Sequence, residues 1–388
     1  MASPKLLTFL LAGVLFAPLA YADSAVDASR YYEDALKRYE RHDDAGAIIQ
    51  LKNTLKADSR MLPALVLMGQ AYLRAGDPAA AERVLADAEK LGAARGQIAT
   101  LQAQAYLAQG KMRLMLEKFG ADGLPPKARL EMLLMRGQAQ LNLTQFDAAM
   151  TSAKQAAQTP GGSARALALQ ARIHLNAGRP QDAQATVQEA LRVSPRDADV
   201  LNMQASILHV RGELQAAARE YGRALDVQPN HLDARLARAG ILLDLQRDNE
   251  VKPDLDYLQS HFAYDPRGAY LRALYFSRKG DEARARAALQ EATRTLGQLA
   301  PEFLAASDQL QLLGGLAHHA LGEFERARTF LGTYLKKHPR DVGARKLLGS
   351  IYLAERQYDR AAAMLQPALL EQPNDAKVLA MLGEAAMR

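Results

Sequence analysis

A register of 34 residues runs through this chain and limits what it can fold into more than any other feature. Aligning GQAY at 69–72, GLAH at 315–318 and GSIY at 349–352 makes it visible. If those glycines are numbered position 8, that position holds Ala35, Gly69, Ala103, Gly137, Ala171, Ala205, Ala239, Ala273, Gly315, Gly349 and Gly383. Every step is 34 residues except one of 42, between Ala273 and Gly315. Position 20 is Ala in eight of ten repeats, with Met115 and Val251 as the exceptions. Position 15 holds Gly76, Gly110, Gly178, Gly212, Gly280 and Gly322, and position 32 holds Pro195, Pro229, Pro339 and Pro373. A helix–turn–helix unit makes these demands: small residues let two helices cross closely, glycine ends the first helix in a left-handed turn, and proline stops the second. Asp77 and Pro78 fit the N-cap and first position of a second helix. A chain of 388 residues would otherwise suggest two or three domains. The fixed period predicts a stack of one repeated unit instead.

Composition agrees. Aromatics are only 6% with no Trp, which favours helices over sheets, and 49% hydrophobic with 24% charged residues is ordinary for a soluble protein. The absence of Cys excludes disulfides, thiolate zinc sites, catalytic thiols and cysteine-linked lipid. A net charge of +6 is weak evidence for an anionic partner, and no nucleic-acid ligand is expected.

The N-terminus reads as an export signal spanning residues 1–22. Lys5 supplies the positive region, residues 6–19 (LLTFLLAGVLFAPL) are mostly apolar, and Ala20-Tyr21-Ala22 gives the small-x-small cleavage pattern. The apolar run is shorter than the roughly 20 residues needed to cross a bilayer. The reading is therefore a short mature leader at 23–27, a repeat region at 28–388, no transmembrane segment in the mature chain, and a location outside the cytoplasm.

The register and its small residues resemble the tetratricopeptide repeat, over residues 28–388. The bulky residue at position 4 is Tyr31, Leu65, Leu133, Leu167, Leu201 or Leu379, never Trp, and the aromatic at position 11 survives as Tyr72, Tyr106 and Tyr352. The resemblance implies an all-α, right-handed α-solenoid of about ten helix–turn–helix repeats plus one terminal half-repeat. Three departures stand out: Arg235, Val251 and Pro253 in repeat 7, an insertion near 296–303, and Pro367 inside the second helix of repeat 10. Solenoids tolerate such irregularities, because each repeat touches only its neighbours.

In this family the first helices line a concave groove through positions 2, 5, 9 and 12. Carried onto this sequence, the polar or aromatic candidates are Tyr32, Tyr39, Gln70, Gln104, Gln138, Arg165, Arg172, Asn202, His209, Tyr270 and His319. Gln70, Gln104 and Gln138 recur at position 9 and Arg172 continues the row, a ladder able to hydrogen-bond a peptide backbone or saccharide hydroxyls. Solvent-facing glutamine is also simply a good helix former. The Lys and Asn clamp that some members use for a C-terminal carboxylate is not reproduced.

A finer likeness lies near the start of the repeats. YYEDAL at 31–36, AIIQLKN at 47–53 and LRAGDPAAAE at 73–82 are similar to the exported repeat protein that accompanies exosortase and PEP-CTERM sorting in exopolysaccharide-producing Gram-negative bacteria. Members of that group are much longer, so the resemblance is to an N-terminal portion. It implies a periplasmic, non-catalytic scaffold for protein partners or polysaccharide. The alternative is an outer-envelope assembly or export component of another pathway.

No catalytic, cofactor or metal constellation emerges. None of His42, His174, His209, His231, His261, His318, His319 and His338 forms H-E-x-x-H, and phosphate-binding glycine loops and nucleophile elbows are absent. His318 and His319 point in different directions on a helix and read as surface or groove residues. Asp43 with Asp44, and Asp254 with Asp256, read as solvated charges at turn or surface positions. Gly161-Gly162 reads as an inter-repeat turn and Gly314-Gly315 as close helix packing. At the C-terminus, residues 376–388 fit a first helix with Leu379 at position 4, Leu382 at 7 and Gly383 at 8, and no second helix follows. This suggests a longer native chain or docking of that end on a partner.

Overall fold

The computed structural model describes residues 18–299 and 301–387, and every regular element among them is a helix. The helices pair in the expected register: α1 (Pro18–Glu40) with α2 (Asp44–Ala57), and α3 (Leu62–Arg74) with α4 (Pro78–Lys90); α5 (Arg95–Ala108) and α6 (Met112–Lys118) follow in chain order. Next come α7 (Pro126–Asn142) with α8 (Phe146–Ala157), α9 (Ser163–Asn176) with α10 (Pro180–Val193), and α11 (Ala198–Val210) with α12 (Leu214–Val227). They are followed by α13 (Leu232–Asp244) with α14 (Asp248–His261), and α15 (Pro266–Arg278) with α16 (Glu282–Gln298). The short α17 (Pro301–Ala306) precedes α18 (Asp308–Leu321) with α19 (Phe324–Lys337), and α20 (Val342–Ala354) with α21 (Tyr358–Glu371). The half-repeat is α22 (Ala376–Ala386). The insertion near 296–303 is absorbed by the lengthened α16, of 17 residues, and by α17. Residues 18–27, expected to hold the end of the signal and the leader, belong to α1; the rest of the expected signal lies outside the described residues.

The chain divides into two compact units, Met1–Ala105 and Tyr106–Arg388. The core of the first gathers Ala35, Leu51, Ala64, Leu67, Met68 and Ala71. In the second, the core continues as a series of clusters between successive helix pairs, one of them around Leu201, Tyr221, Ile241, Leu255 and Leu258.

The small residues at position 8 have a steric cause. A Cβ on Gly69, Gly315 or Gly349 would come within 2.6, 2.5 or 2.8 Å of the leucine at position 24 of the same repeat, Leu85, Leu331 or Leu365. Repeat 4 has Ala153 at position 24, and there Leu169 from the next repeat fills the space against Gly137, 2.7 Å from where a Cβ would stand. Close packing of this kind leaves no room for even one extra methyl group. Gly314 likewise makes room for the Phe330 ring, and Gly161 forms a turn at φ +75°.

Position 15 is left-handed in all ten repeats. Six repeats use glycine there, with φ between 72° and 79°. The other four place His42, Thr144, Gln246 and Arg356 in the same conformation, at φ 61°, 57°, 57° and 58°. The stacking of the two helices therefore imposes the turn, even where the residue is not suited to it. Three second helices begin on aspartate caps: Asp43 accepts the Gly46 amide, Asp77 that of Ala80, and Asp281 that of Arg284, whereas Glu213 and Glu323 at the same position make no side-chain cap.

Three expectations are corrected. Asp254 is not a solvated charge: it is 0% exposed on α14 and accepts hydrogen bonds from Arg235 Nη1 (2.7 Å) and from Arg238 Nε and Nη2 (2.7 and 2.6 Å). Arg235, 7% exposed, also donates to the Pro229 carbonyl (2.6 Å) and lies 3.8 Å over the Tyr257 ring. The unusual Arg235 of repeat 7 is thus matched by a buried carboxylate in its second helix, which runs unbroken through Pro253. Asp44 is also largely buried and receives Arg74 Nε at 2.6 Å. Finally, His318 faces the core at 3% exposure, with Nδ1 2.7 Å from Glu323 Oε2 and its ring stacked on Phe330.

Candidate ligand groove

Within the second unit, the first helices α7, α9, α11, α13, α15, α18, α20 and α22 present the same repeat positions to a row of adjoining cavities. The first, of about 220 Å³, is lined by Glu131, Gln138, Arg165, Arg172 and Asp199 over an apolar floor of Leu107, Leu134 and Leu169. The second, of about 720 Å³, begins at Arg172 and takes in Asn202, His209, Asp233, Gly240, Arg267 and Tyr270. The third, of about 480 Å³, shares Leu312 and Leu316 with the second and adds His319, Lys346, Ser350 and Lys377. Nearly all these residues stand at positions 2, 5, 6, 9, 12 or 13, because those positions share the exposed face of a first helix whose opposite side is packed.

Position 2 carries charges that neutralise one another across repeats. Arg165 donates to both carboxylate oxygens of Glu131 (2.5 and 3.0 Å) and lies 3.6 Å from Asp199, each one repeat away. Arg267 reaches Asp233, one repeat back, at 3.4 Å, and binds Asp265 at 2.6 Å. The Glu131 hydrogen bonds raise the Arg165 pKa against a smaller opposing effect of burial. His231, 3.3 Å from Asp199, leads in holding that carboxyl below its ordinary range, with Arg165 and Arg172 adding to the effect. Burial lowers the His319 pKa and raises that of the Tyr270 hydroxyl. His319 Nε2 also lies 3.0 Å from Ser350 Oγ, one repeat on.

The sequence candidates divide between the units. Tyr32, Tyr39, Gln70 and Gln104 belong to the first. There Tyr32 and Tyr39 pack on the core cluster, and the Arg74 guanidinium covers the Tyr39 ring at 3.5 Å. Gln70 is half-buried and Gln104 exposed. Gln138, Arg165, Arg172, Asn202, His209, Tyr270 and His319 all line the cavities of the second unit. One rung of the proposed ladder forms between protein groups: Arg172 Nη1 donates to Gln138 Oε1 at 2.7 Å, while Gln138 Nε2 donates to Asn142 at 2.8 Å. Sequence reasoning passed over Glu131, Asp199, Asp233, Arg267, Ser206, Gly240, Lys346 and Lys377. All eight occupy positions 2, 5 or 9, so the signal that found the others was available for them too.

Among the described residues, no group of three or more His, Asp or Glu side chains could hold a metal ion, and no helix is long and apolar enough to cross a membrane.

Family models agree with this architecture. Two family models, each described as tetratricopeptide repeat, match residues 66–113, 134–183 and 168–225, and residues 317–385. Similar solved structures include a tetratricopeptide repeat protein from Parabacteroides merdae, 18% identical, covering 66% of this chain and 98% of that one, with a TM-score of 0.45. Yeast Tom70 is 12% identical, covering 93% and 95%, with a TM-score of 0.41. PilW, a type IV pilus biogenesis factor, is 15% identical, covering 57% and 97%, with a TM-score of 0.42. Among curated proteins, none matches significantly. With its 34-residue register, its paired helices and family matches that together span more than half of its length, the chain belongs to the tetratricopeptide-repeat proteins.

Proposed function

We propose that this protein is a non-catalytic periplasmic scaffold whose groove holds protein partners, in the service of exosortase-linked exopolysaccharide export. The observation that carries the scaffold reading is the continuity of the groove in the second unit. Three cavities adjoin across successive first helices, lined by polar side chains over leucine floors. Such a surface suits an extended partner better than a compact small molecule. The location is supported by the signal pattern of residues 1–22, and the pathway by the likeness at 31–36, 47–53 and 73–82. Exposed Leu379 on α22 is a second candidate contact for a protein partner.

The test has two arms. A C-terminally tagged chain, expressed in its host, is located by fractionation and its partners captured from the periplasmic extract. Deletion of the gene is scored for polysaccharide output and for sorting of tagged substrates. Recovery of envelope proteins together with reduced polysaccharide supports the reading. A cytoplasmic location, or normal output and sorting after deletion, refutes the pathway, and a defect confined to another envelope process points to the alternative role.

A further inference from the structure

Building on the groove reading, we propose that the 720 Å³ cleft is a subsite for an extended peptide carrying a bulky apolar side chain with an acidic residue on one side and a basic residue on the other. Three observations carry it. Asn202 is 8% exposed and lines the cleft, yet its carboxamide has no hydrogen-bond partner among the described residues. The carboxamide is open to the cleft, and a donor beside an acceptor matches the edge of a peptide group.

The second observation is Gly240, in the interior of α13 at position 9, where neighbouring repeats have Arg172, Ser206 and Leu274. Packing does not require glycine here. A Cβ would meet nothing nearer than Leu271 Cδ2 at 4.0 Å, unlike Gly69, Gly137, Gly315 and Gly349 at position 8. Glycine weakens a helix interior, and here it opens space over a floor of leucines. That floor suits a Leu, Met or Phe side chain, and it offers few of the aromatic faces on which a sugar ring would stack.

Third, the charges around the cleft are not all matched. Asp233 and Arg267 pair with each other, but the Arg172 guanidinium makes no ion pair: it hydrogen-bonds only the neutral Gln138 side chain and acts on Asp199 from a distance. Asp244, one turn along α13 from Gly240, has no ion pair among the described residues. An acidic ligand group meets Arg172 and a basic one meets Asp244.

The experiment uses the full chain against an array of short peptides in which Asp, Leu, Phe and Lys are permuted through a Gly-Ser background, followed by fluorescence anisotropy on the best binder. The proposal expects selection of acidic–apolar–basic order. It also expects about a tenfold loss of affinity for Asn202→Ala, the scale of one well-placed hydrogen bond. Gly240→Leu should abolish binding, with helicity and melting temperature not lowered. Gly240→Ala, which fills less space, keeps the test valid if the leucine variant misfolds, and should weaken binding while raising the melting temperature. Peptides that bind without that order, or whose affinity ignores Asn202 and Gly240 while responding to Lys346→Ala or Lys377→Ala, overturn the subsite and leave the groove reading standing. Failure of every peptide while an exopolysaccharide fraction binds overturns both the subsite and the protein-partner reading.

Discussion

Replacing Asp254 by alanine tests whether the buried charge cluster of repeat 7 holds that repeat together. The carboxylate is fully enclosed and receives three charge-assisted hydrogen bonds, at 2.6–2.7 Å, from Arg235 and Arg238. Removing one partner of a buried pair costs about 3–5 kcal/mol, because the remaining charge is left without compensation. Here the two arginines respond differently. The Arg238 side chain is 25% exposed and can turn to water, whereas Arg235 is held against the Tyr257 ring and by the Pro229 carbonyl. One stranded guanidinium rather than two places the loss near the low end, about 3 kcal/mol. The double variant Arg235→Leu with Asp254→Leu restores the apolar position 4 of Leu65, Leu133 and Leu201, and should recover most of that loss. The assay is native-state hydrogen exchange of the amides in α13 and α14, because a repeat array can open locally without unfolding as a whole. A loss under about 1 kcal/mol for Asp254→Ala, or a double variant no better than the single one, would refute the reasoning.

Two further outcomes follow from the backbone and from half-buried histidines. Gln246→Gly and Arg356→Gly should each stabilise the protein by about 0.5–1 kcal/mol in urea melts, since a left-handed backbone costs an ordinary residue roughly 1–2 kcal/mol and glycine returns part of that through its freer unfolded chain; Gly212→Ala should do the reverse. Burial lowers the pKa of both His174 and His319 from the usual 6.5, so both favour the neutral form when folded. Their contribution is intact above pH 6.5 and is lost as the pH falls toward the depressed folded values, where the unfolded chain binds protons first. Stability measured from pH 7.5 down to 5 should therefore decline, and less steeply in His174→Gln with His319→Gln; parallel curves would count against the assignment.

What the sequence determined by itself was everything that repeats at 34 residues. Helix pairs, their left-handed turns and the small crossing residues recur because each is a local or nearest-neighbour demand, met again in every unit. Even His42, Thr144, Gln246 and Arg356 could have been read from the register, since position 15 fixes their backbone whatever their side chains prefer. The groove positions were legible for the same reason, although Asp233, Gly240 and Arg267 were passed over on positions that were already identified. Tertiary structure alone decided which polar groups meet. Arg235 and Asp254 stand 19 residues apart, off the period, and join only because α13 packs on α14; neither residue alone signals that its charge is matched. It also decided what remains unmatched: the Gln138 amide is engaged by Arg172, while that of Asn202 lies buried and open to the cleft. A one-dimensional pattern specifies the face on which a side chain stands. The partners it finds there depend on the distance and angle between neighbouring helices, and the packed cores set both.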